Sequence, residues 1–354
     1  MKRWLIGLAM MVAGFGLAGA TELRAQSLFE QAERSHASLF MYHRFADERY
    51  PSTSTSLEDF KAHLDYLKKN GFTVMALGDI VAALKAGRPL PKKTAAITID
   101  DAFQSFADHA WPLLRKANMP ATLFVSTQAL DDGAADMVSW NTLRRMAAQG
   151  LEIGNHTVSH PHMPELDASE LRAEITGAQA RIKAEVGVEP TLFAYPYGEF
   201  GAREEKMVRD LGFAAGFGQQ SGVAHAGEML TRLPRFPVSG SFGRLNRFQV
   251  AANALPLPAT DITPTDWVIA KGATNPPHFG FTVAEGVERL SALICYARTG
   301  EKIEPVRLGD NRFEVRATKK LSKGRSGINC TVPGASTSEG VRWRWRGVQF
   351  TVID

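Results

Sequence analysis

For about 200 residues the sequence alternates between short apolar runs and amphipathic runs, and this alternation restricts the chain to one class of fold. Residues 94–99 form an apolar run without clean alternation, which is typical of a strand buried on both faces of a parallel sheet. Residues 56–59, Ser-Leu-Glu-Asp, carry a capping-box signature that predicts the start of a helix. Strands alternating with helices predict a parallel α/β sheet, either closed as a barrel or open and doubly wound. The periodicity does not choose between the two.

The pattern changes after about residue 250, which predicts a second domain. Prolines punctuate residues 251–265, and from residue 281 short β-like runs are separated by turn signals. This spacing predicts a small all-β domain, an immunoglobulin-like sandwich. We therefore expect an α/β domain over residues 30–250, a linker over 251–265 and a β-sandwich domain over 266–354.

Composition sets broad limits on the class of protein. Of the 354 residues, 44% are hydrophobic and 22% are charged, which excludes a mainly disordered, collagen-like or multi-span membrane chain. The net charge of +4 is too small to imply a nucleic-acid partner. Residues 281–354 hold 13 Lys/Arg against 8 Asp/Glu, so this basic C-terminal domain could contact an acidic glycan. A solvated basic face explains the same excess.

The N-terminus has the pattern of a secretory signal peptide. Met1-Lys2-Arg3 is positive, residues 4–17 are almost wholly apolar, and Ala18-Gly19-Ala20 offers a cleavage site. An uncleaved anchor is the alternative, but the apolar run is shorter than the roughly 20 residues of a span. We expect cleavage after residue 20, export to the periplasm or the medium, and no stable membrane span.

Export also bears on the two cysteines, Cys295 and Cys330, which lie in β-like stretches of the C-terminal region. In an oxidising compartment an even pair favours a structural disulfide bond over a metal or catalytic site. Buried free thiols remain the alternative.

Polar residues follow four of the predicted strands, where the active site of a parallel α/β barrel lies. The first strand ends in His43, and the apolar strand 94–99 runs into Asp100 and Asp101. The strand near 151–154 runs into residues 155–160, and the strand near 191–194 runs into Tyr195-Pro196-Tyr197-Gly198.

His156 and His160 are spaced i, i+4, which predicts two imidazoles on one face of a helical turn, both able to reach one metal ion. Two adjacent carboxylates at the end of an apolar strand repel each other, and a cation would stabilise them. Two histidines and one aspartate would make an open three-ligand site, suited to zinc and to neighbouring divalent ions. The second aspartate would remain free as a general base. An exposed histidine pair and a helix-capping acidic pair are the plain alternatives.

Together these motifs resemble the polysaccharide deacetylases of the NodB-homology type, carbohydrate esterase family 4, over residues 36–245. The family's T-F-D-D motif corresponds to residues 98–101, its H-[ST]-x-x-H motif to residues 156–160, and its R-x-P-Y-G motif to residues 194–198. The resemblance implies a distorted (β/α)7 barrel. It also implies Asp100 as general base and Asp101, His156 and His160 as metal ligands, with zinc the expected ion and cobalt, nickel or manganese as alternatives.

The sequence departs from the family pattern in two places. The leucine-x-histidine motif has no clear counterpart after residue 220, where His225 has a poor setting. His43 instead ends the first strand, similar to circularly permuted members such as the poly-N-acetylglucosamine deacetylases, which implies His43 as general acid; a buried structural histidine is the alternative. Ala194 replaces the motif's arginine, and we expect Arg235 to supply that guanidinium, although a surface arginine fits the sequence equally well.

The resulting expectation is a secreted, metal-dependent hydrolase that removes N-acetyl groups from an N-acetylated glycan. A water activated by the metal would attack the acetamide, with the backbone N–H of Tyr197 stabilising the oxyanion and His162 acting only as a loop histidine. An O-acetyl esterase or another non-peptide amidase could use the same site, and a non-catalytic carbohydrate-binding barrel is a further alternative. Serine hydrolase, NTPase and dinucleotide-binding motifs are absent from the sequence.

Residues 343–346, Trp-Arg-Trp-Arg, alternate aromatic and basic side chains along a predicted strand. The aromatic face could stack on a sugar, but two tryptophans on one strand face are more often part of a core. We therefore predict that Trp343 and Trp345 are core residues.

Overall fold

A curled, mainly parallel sheet forms the first part of the molecule. The computed structural model describes residues 27–337 and 340–354, and the predicted signal peptide lies outside these residues. The sheet has nine strands, with the order β8-β1-β3-β4-β5-β6-β7, while β9 pairs with β1 and β2 with β3. These strands are β1 (His36–Tyr42), β2 (Thr73–Val74), β3 (Thr94–Asp100), β4 (Thr122–Val125), β5 (Glu152–Asn155), β6 (Leu192–Ala194), β7 (Ala215–Phe217), β8 (Ala224–His225) and β9 (Phe236–Pro237).

Nine α-helices lie among the described residues, most of them between consecutive strands of this sheet, as expected for an α/β fold. They are α1 (Leu28–Arg34), α2 (Leu57–Lys69), α3 (Leu77–Lys85), α4 (Trp111–Ala117), α5 (Thr127–Asp131), α6 (Trp140–Ala148), α7 (Ala168–Val186), α8 (Ala202–Asp210) and α9 (Leu245–Ala252). Ser56 caps α2 by accepting a hydrogen bond from the N–H of Asp59. All seven residues of β3 are buried, as its apolar sequence predicts.

After β3 the chain is helical from residue 104 to residue 117, and a π-helical turn, Phe106–Ala110, leads into α4; residues 101–103 form the turn before it. Asp101 and Ala102 have φ values of 76° and 64°, a left-handed conformation that no helix can include. The chain therefore turns sharply where β3 ends, which aims Asp101 away from the strand direction.

The two ends of the curled sheet are joined by one short segment, residues 233–237, which we call the closing segment. Leu233 makes a parallel bridge with Phe217 of β7, and Phe236 pairs with Phe40 of β1. The expected α/β fold with a curled sheet is confirmed, and the side chain of Arg235 enters the molecule from the closing segment.

The second part of the molecule consists of two further sheets, so the expected additional β-rich region is confirmed. One sheet has six strands in the order β10-β19-β18-β14-β15 with β12 beside β19, and the other has the order β11-β13-β17-β16. Their strands are β10 (Leu255–Pro256), β11 (Ala259–Thr263), β12 (Val268–Ile269), β13 (Phe279–Val283), β14 (Ile294–Ala297), β15 (Lys302–Ile303), β16 (Val306–Leu308), β17 (Arg312–Val315), β18 (Gly324–Thr337) and β19 (Gly340–Val352).

The stretch expected as a linker, residues 251–265, contains the end of α9 and the two strands β10 and β11. Leu255 of β10 pairs with Arg344 of β19, and Ala259 of β11 pairs with Val283 of β13. Proline-rich composition suggested a joint, but proline fits short or edge strands, because these need few ladder N–H donors.

The prediction that both tryptophans of residues 343–346 belong to a core is wrong for Trp343, which is 37% exposed. The arginines are buried instead. Arg344 donates to Glu33 at 2.6 Å and Arg346 to Glu228 at 2.7 Å, so both pair with acidic residues from the N-terminal part of the chain. Trp345 is half-buried and packs against Phe236, so ion pairing buries the two arginines while only Trp343 is exposed.

The structure confirms the expected disulfide bond. Cys295 of β14 and Cys330 of β18 lie directly opposite each other in an antiparallel pair and are bonded. Both are fully buried in the core between the two C-terminal sheets.

We expect the double substitution Cys295→Ala/Cys330→Ala to lower the free energy of unfolding by about 3–4 kcal/mol, because the bond closes a loop of 35 residues and restricts the unfolded chain. Urea denaturation of the oxidised protein and of the double variant measures this difference. The free energy of unfolding of the wild type should fall to the same value in reductant. Equal midpoints for the two proteins would contradict the prediction.

Candidate active site

Two carboxylates stand at the end of β3 and face in different directions. Asp100 is the last residue of the strand and is fully buried, whereas Asp101 lies in the left-handed turn that follows and is partly exposed. The turn separates the two side chains, so adjacent aspartates can serve different partners.

Asp101 lies beside the two histidines of the second motif. Its Oδ1 is 3.4 Å from Nε2 of His156 and 3.3 Å from Nε2 of His160. Among the described residues, these three are the cluster whose potential ligand atoms lie within 4.8 Å of one another. The structure therefore brings together the three side chains that the sequence proposes as metal ligands.

The predicted helical turn that would align these histidines is wrong. Residues 156–162 form a loop, in which Thr157 and His160 have φ values of 71° and 58°. The Thr157 hydroxyl accepts a hydrogen bond from the His160 N–H at 3.1 Å, which stabilises the turn. The i, i+4 spacing still brings the rings together, with centroids 4.8 Å apart, but through a loop closed by Thr157.

The three side chains fit a divalent cation. In a tetrahedral site with metal–ligand distances of about 2.0–2.2 Å, neighbouring ligand atoms lie about 3.3–3.6 Å apart, which matches the two measured distances. Asp101 Oδ1 and His156 Nε2 are buried and have no hydrogen-bond partner among the described residues, which is costly unless a ligand satisfies them. A metal would supply that missing partner.

The orientation of His156 is fixed from behind by the end of β6. Its Nδ1 donates to the carbonyl of Ala194 at 2.7 Å, which leaves the lone pair of Nε2 facing Asp101. Burial lowers the pKa of His156, but the carboxylates of Asp101 and Asp100 outweigh this effect and raise it. Burial and the neighbouring His156 lower the pKa of His160 to about 4.

Asp100 forms a buried, two-pronged ion pair with Arg235. The guanidinium donates to Oδ1 at 2.7 Å and to Oδ2 at 2.8 Å, and both side chains are inaccessible to solvent. Arg235 also donates to the carbonyl of Gly218 and to the hydroxyl of Thr98, so each nitrogen of the buried guanidinium makes at least one hydrogen bond. Burial alone would raise the pKa of Asp100, yet Arg235 and His156 hold it below its usual range.

The alternative that Arg235 is a surface residue is therefore excluded by its burial. Arg232, three residues earlier, pairs with Glu205 at 2.7 Å instead. The guanidinium reaches Asp100 from the closing segment rather than from β6, where Ala194 is buried.

His43 follows β1 and lies near both carboxylates. Its Nδ1 is buried without a hydrogen-bond partner among the described residues. A charge on His43 lowers the pKa of Asp100 and that of Asp101, which reflects its position close to them. His225, the histidine considered for the family's leucine-x-histidine motif, lies in β8, and its Nε2 is 3.0 Å from Oε2 of Glu228.

Tyr197 forms one side of the site. Its ring meets that of His160 edge-on at 4.4 Å and stacks on that of His162 at 4.3 Å. His162 is not in the cluster of three, as expected, but its Nδ1 lies 2.7 Å from Oε2 of the buried Glu199. The sequence analysis missed Glu199, since a glutamate in a loop after the third motif carries no signal of such a contact.

Comparison with known proteins supports the family resemblance. Residues 87–216 match the family model described as polysaccharide deacetylase. The chain is 24% identical over 237 residues to the poly-beta-1,6-N-acetyl-D-glucosamine N-deacetylase of Escherichia coli (strain K12), covering 55% of this chain and 35% of that protein. It is 24% identical over 212 residues to the enzyme of the same name from Staphylococcus aureus (strain MRSA252), covering 56% of this chain and 73% of that one.

Solved structures with the same fold include further deacetylases. The Streptococcus pyogenes deacetylase PplD in complex with acetate has a TM-score of 0.58 and 20% identity, over 62% of this chain and 99% of that chain. IcaB from Ammonifex degensii has a TM-score of 0.54 and 25% identity, over 62% of this chain and 98% of that one.

The resemblance to polysaccharide deacetylases of the NodB-homology type is thus confirmed. So is the expectation, at the level of this family, of an enzyme that hydrolyses carbon–nitrogen bonds other than peptide bonds. The three motifs fall within the matched residues, whereas His43 and Arg235 lie outside them. Among the described helices no segment has the length and apolarity that a bilayer span requires.

Proposed function

We propose that this protein is an exported, metal-dependent deacetylase that removes N-acetyl groups from a polysaccharide of N-acetylglucosamine. The observation that carries the proposal is the juxtaposition of two sites. Asp101, His156 and His160 form a cluster suited to a cation, and the neighbouring Asp100 is kept ionised by Arg235. Relatives named poly-beta-1,6-N-acetyl-D-glucosamine N-deacetylase support this choice of substrate.

Asp101, His156 and His160 would hold the metal, with zinc the best match to one carboxylate and two imidazoles. A bound cation would supply Lewis-acid chemistry, polarising the acetamide carbonyl and lowering the pKa of a water molecule. The chain itself then provides the proton transfers and the orientation of the substrate.

Asp100 would act as the general base, because its ionised carboxylate can accept a proton from the attacking water. The bidentate pair with Arg235 restricts the carboxylate to one orientation and keeps it charged at neutral pH. His43, which lies close enough to affect both carboxylates, would donate a proton to the departing amine nitrogen. An amine leaves poorly without that proton, so a general acid at His43 would allow the site to hydrolyse an amide.

The backbone N–H of Tyr197 would donate a hydrogen bond to the developing oxyanion. Its ring contacts His160 and His162 and would form part of the wall around the sugar. We also propose that the curled sheet corresponds to the seven-stranded distorted barrel of the family and the C-terminal sheets to an immunoglobulin-like sandwich. The signal-peptide pattern supports export to the periplasm or the medium.

Acetate release from oligomers of β-1,6-linked N-acetylglucosamine tests the function directly. We expect a chelator to abolish turnover, because it removes the Lewis acid, and we expect zinc or a neighbouring divalent ion to restore it. Chitin oligomers and O-acetylated glycans serve as comparison substrates. Faster release from the O-acetylated substrate would indicate an esterase, and binding of oligomers without any acetate release would indicate a carbohydrate-binding module.

A further inference from the structure

The C-terminal sheet reaches the loop of the third motif through Gln349 of β19. The side-chain amide of Gln349 donates to the carbonyl of Tyr197 at 3.0 Å and to that of Gly198 at 2.8 Å. Gln349 is 6% exposed, so this contact is made inside the protein. It joins segments that are about 150 positions apart, since Tyr197 lies 152 residues and Gly198 lies 151 residues before Gln349. Both protons of the amide are used on one loop.

The loop that Gln349 contacts has an unusual backbone. Tyr197 has φ 57° and ψ 3°, a left-handed conformation that a residue with a side chain rarely adopts. Gly198 follows with φ 68°, and a Cβ there would lie 2.6 Å from the backbone nitrogen of Gln219. Such a conformation persists only where surrounding contacts hold it.

A second residue of the C-terminal sheet contacts the same loop. Arg325 of β18 donates to the carbonyl of Tyr197 at 3.2 Å and to Oε1 of Gln219 at 3.1 Å. Its guanidinium lies 5.6 Å from the centre of the Tyr197 ring. Two adjacent strands of the C-terminal sheet therefore both donate hydrogen bonds to the carbonyl of Tyr197.

The hydrogen bonds to these carbonyls have a direct effect on the site. The hydrogen bonds to the carbonyls of Tyr197 and Gly198 restrict the peptide planes that follow these two residues. This restricts the backbone dihedral angles of Tyr197. The direction of the Tyr197 N–H and the position of its ring against His160 are thereby fixed as well. A donor that stabilises an oxyanion must be preorganised, and a displacement of about 1 Å can cost a hundredfold in rate.

We propose that Gln349 is a positioning residue for catalysis, assisted by Arg325, and that the C-terminal sheet is a working part of the active site rather than an appended module. This inference rests on the proposed function of Tyr197. It assigns Gln349 no contact with the substrate and no part in proton transfer.

The substitution Gln349→Met tests this assignment, because methionine matches the length of glutamine and removes the donor. Thr351→Val is the matched control: Thr351 is buried, lies two residues along β19 and therefore on the same face, and its hydroxyl has no hydrogen-bond partner among the described residues. Arg325→Ala provides a second variant at an exposed position, where folding is not at risk.

We expect Gln349→Met to lower kcat about 10- to 100-fold, with KM changed less than about threefold and the metal content unchanged. Thr351→Val should keep kcat within about twofold of the wild type, and Arg325→Ala should give an intermediate decrease. Hydrogen exchange of the backbone amides in residues 195–201 should become faster in Gln349→Met and stay unchanged in Thr351→Val.

Wild-type kcat in Gln349→Met, or equal effects of Gln349→Met and Thr351→Val on kcat, would overturn the inference. Unchanged exchange over residues 195–201 in Gln349→Met would overturn it as well, whatever the activity. A wild-type protein that releases no acetate from any glycan would instead overturn the proposed function, and hydrogen exchange would still decide whether Gln349 holds the loop.

Discussion

Replacing Asp100 with asparagine is expected to lower kcat for acetate release by about a thousandfold, while the protein still binds its metal. Asparagine has nearly the same shape as aspartate but cannot accept the proton. The metal content should be preserved because the cluster of Asp101, His156 and His160 does not include Asp100. Steady-state kinetics and metal analysis on the same preparation measure the two quantities.

The substitution also leaves the Arg235 guanidinium buried without its partner, so some stability is lost independently of catalysis. Glu205→Gln provides the control, because Glu205 also forms a largely buried ion pair. Its Oε1 lies 2.7 Å from Nη2 of Arg232, and neither residue has a proposed catalytic or metal-binding role. This control should lower the melting temperature without a large change in kcat. If Asp100→Asn kept turnover within about tenfold of the wild type, Asp100 would not be the general base.

Replacing Arg235 with methionine is expected to have the second large effect. It leaves a carboxylate that is fully inaccessible to solvent without its counter-ion, which costs about 3–5 kcal/mol in the free energy of unfolding. It also removes the two hydrogen bonds that orient Asp100, and we expect kcat to fall about a hundredfold. Urea denaturation and initial rates measure the two effects.

The double substitution Asp100→Asn/Arg235→Met separates the causes. Because it removes both charges, it should be less destabilised than Arg235→Met alone. The coupling energy of the pair is the loss of the double variant minus the sum of the losses of Asp100→Asn and Arg235→Met. It should remain as inactive as Asp100→Asn. Arg235→Lys, which keeps the charge but not the two-pronged geometry, should fall between the wild type and Arg235→Met in both measurements. Additive stability losses in the double variant would contradict a direct interaction.

Much of the site could be predicted from sequence because the three motifs follow β3, β5 and β6 of one parallel sheet. The carboxyl ends of such strands meet at one edge, so Asp101, His156 and His160 converge without any knowledge of the intervening helices. The local geometry was less predictable: the histidine spacing suggested a helical turn, whereas a loop closed by Thr157 forms instead.

Contacts between distant segments could be predicted only in part. The replacement of the family motif's arginine by Ala194 suggested Arg235, but nothing local to Arg235 signals a partner 135 residues away. Gln349 gave no signal at all, since a glutamine in a β-like stretch is compatible with many environments. The burial of Arg344 and Arg346 was missed for the same reason, because their acidic partners come from the other part of the molecule.

The closing segment has a consequence for how the molecule matures. Leu233 and Phe236 join the two ends of the curled sheet, and Arg235 between them carries the counter-ion of Asp100. A folding intermediate with its strands assembled but this segment undocked would bury an uncompensated acid, which would take up a proton. Catalytic activity would then appear only when the closing segment docks, so incompletely folded molecules would not hydrolyse a glycan.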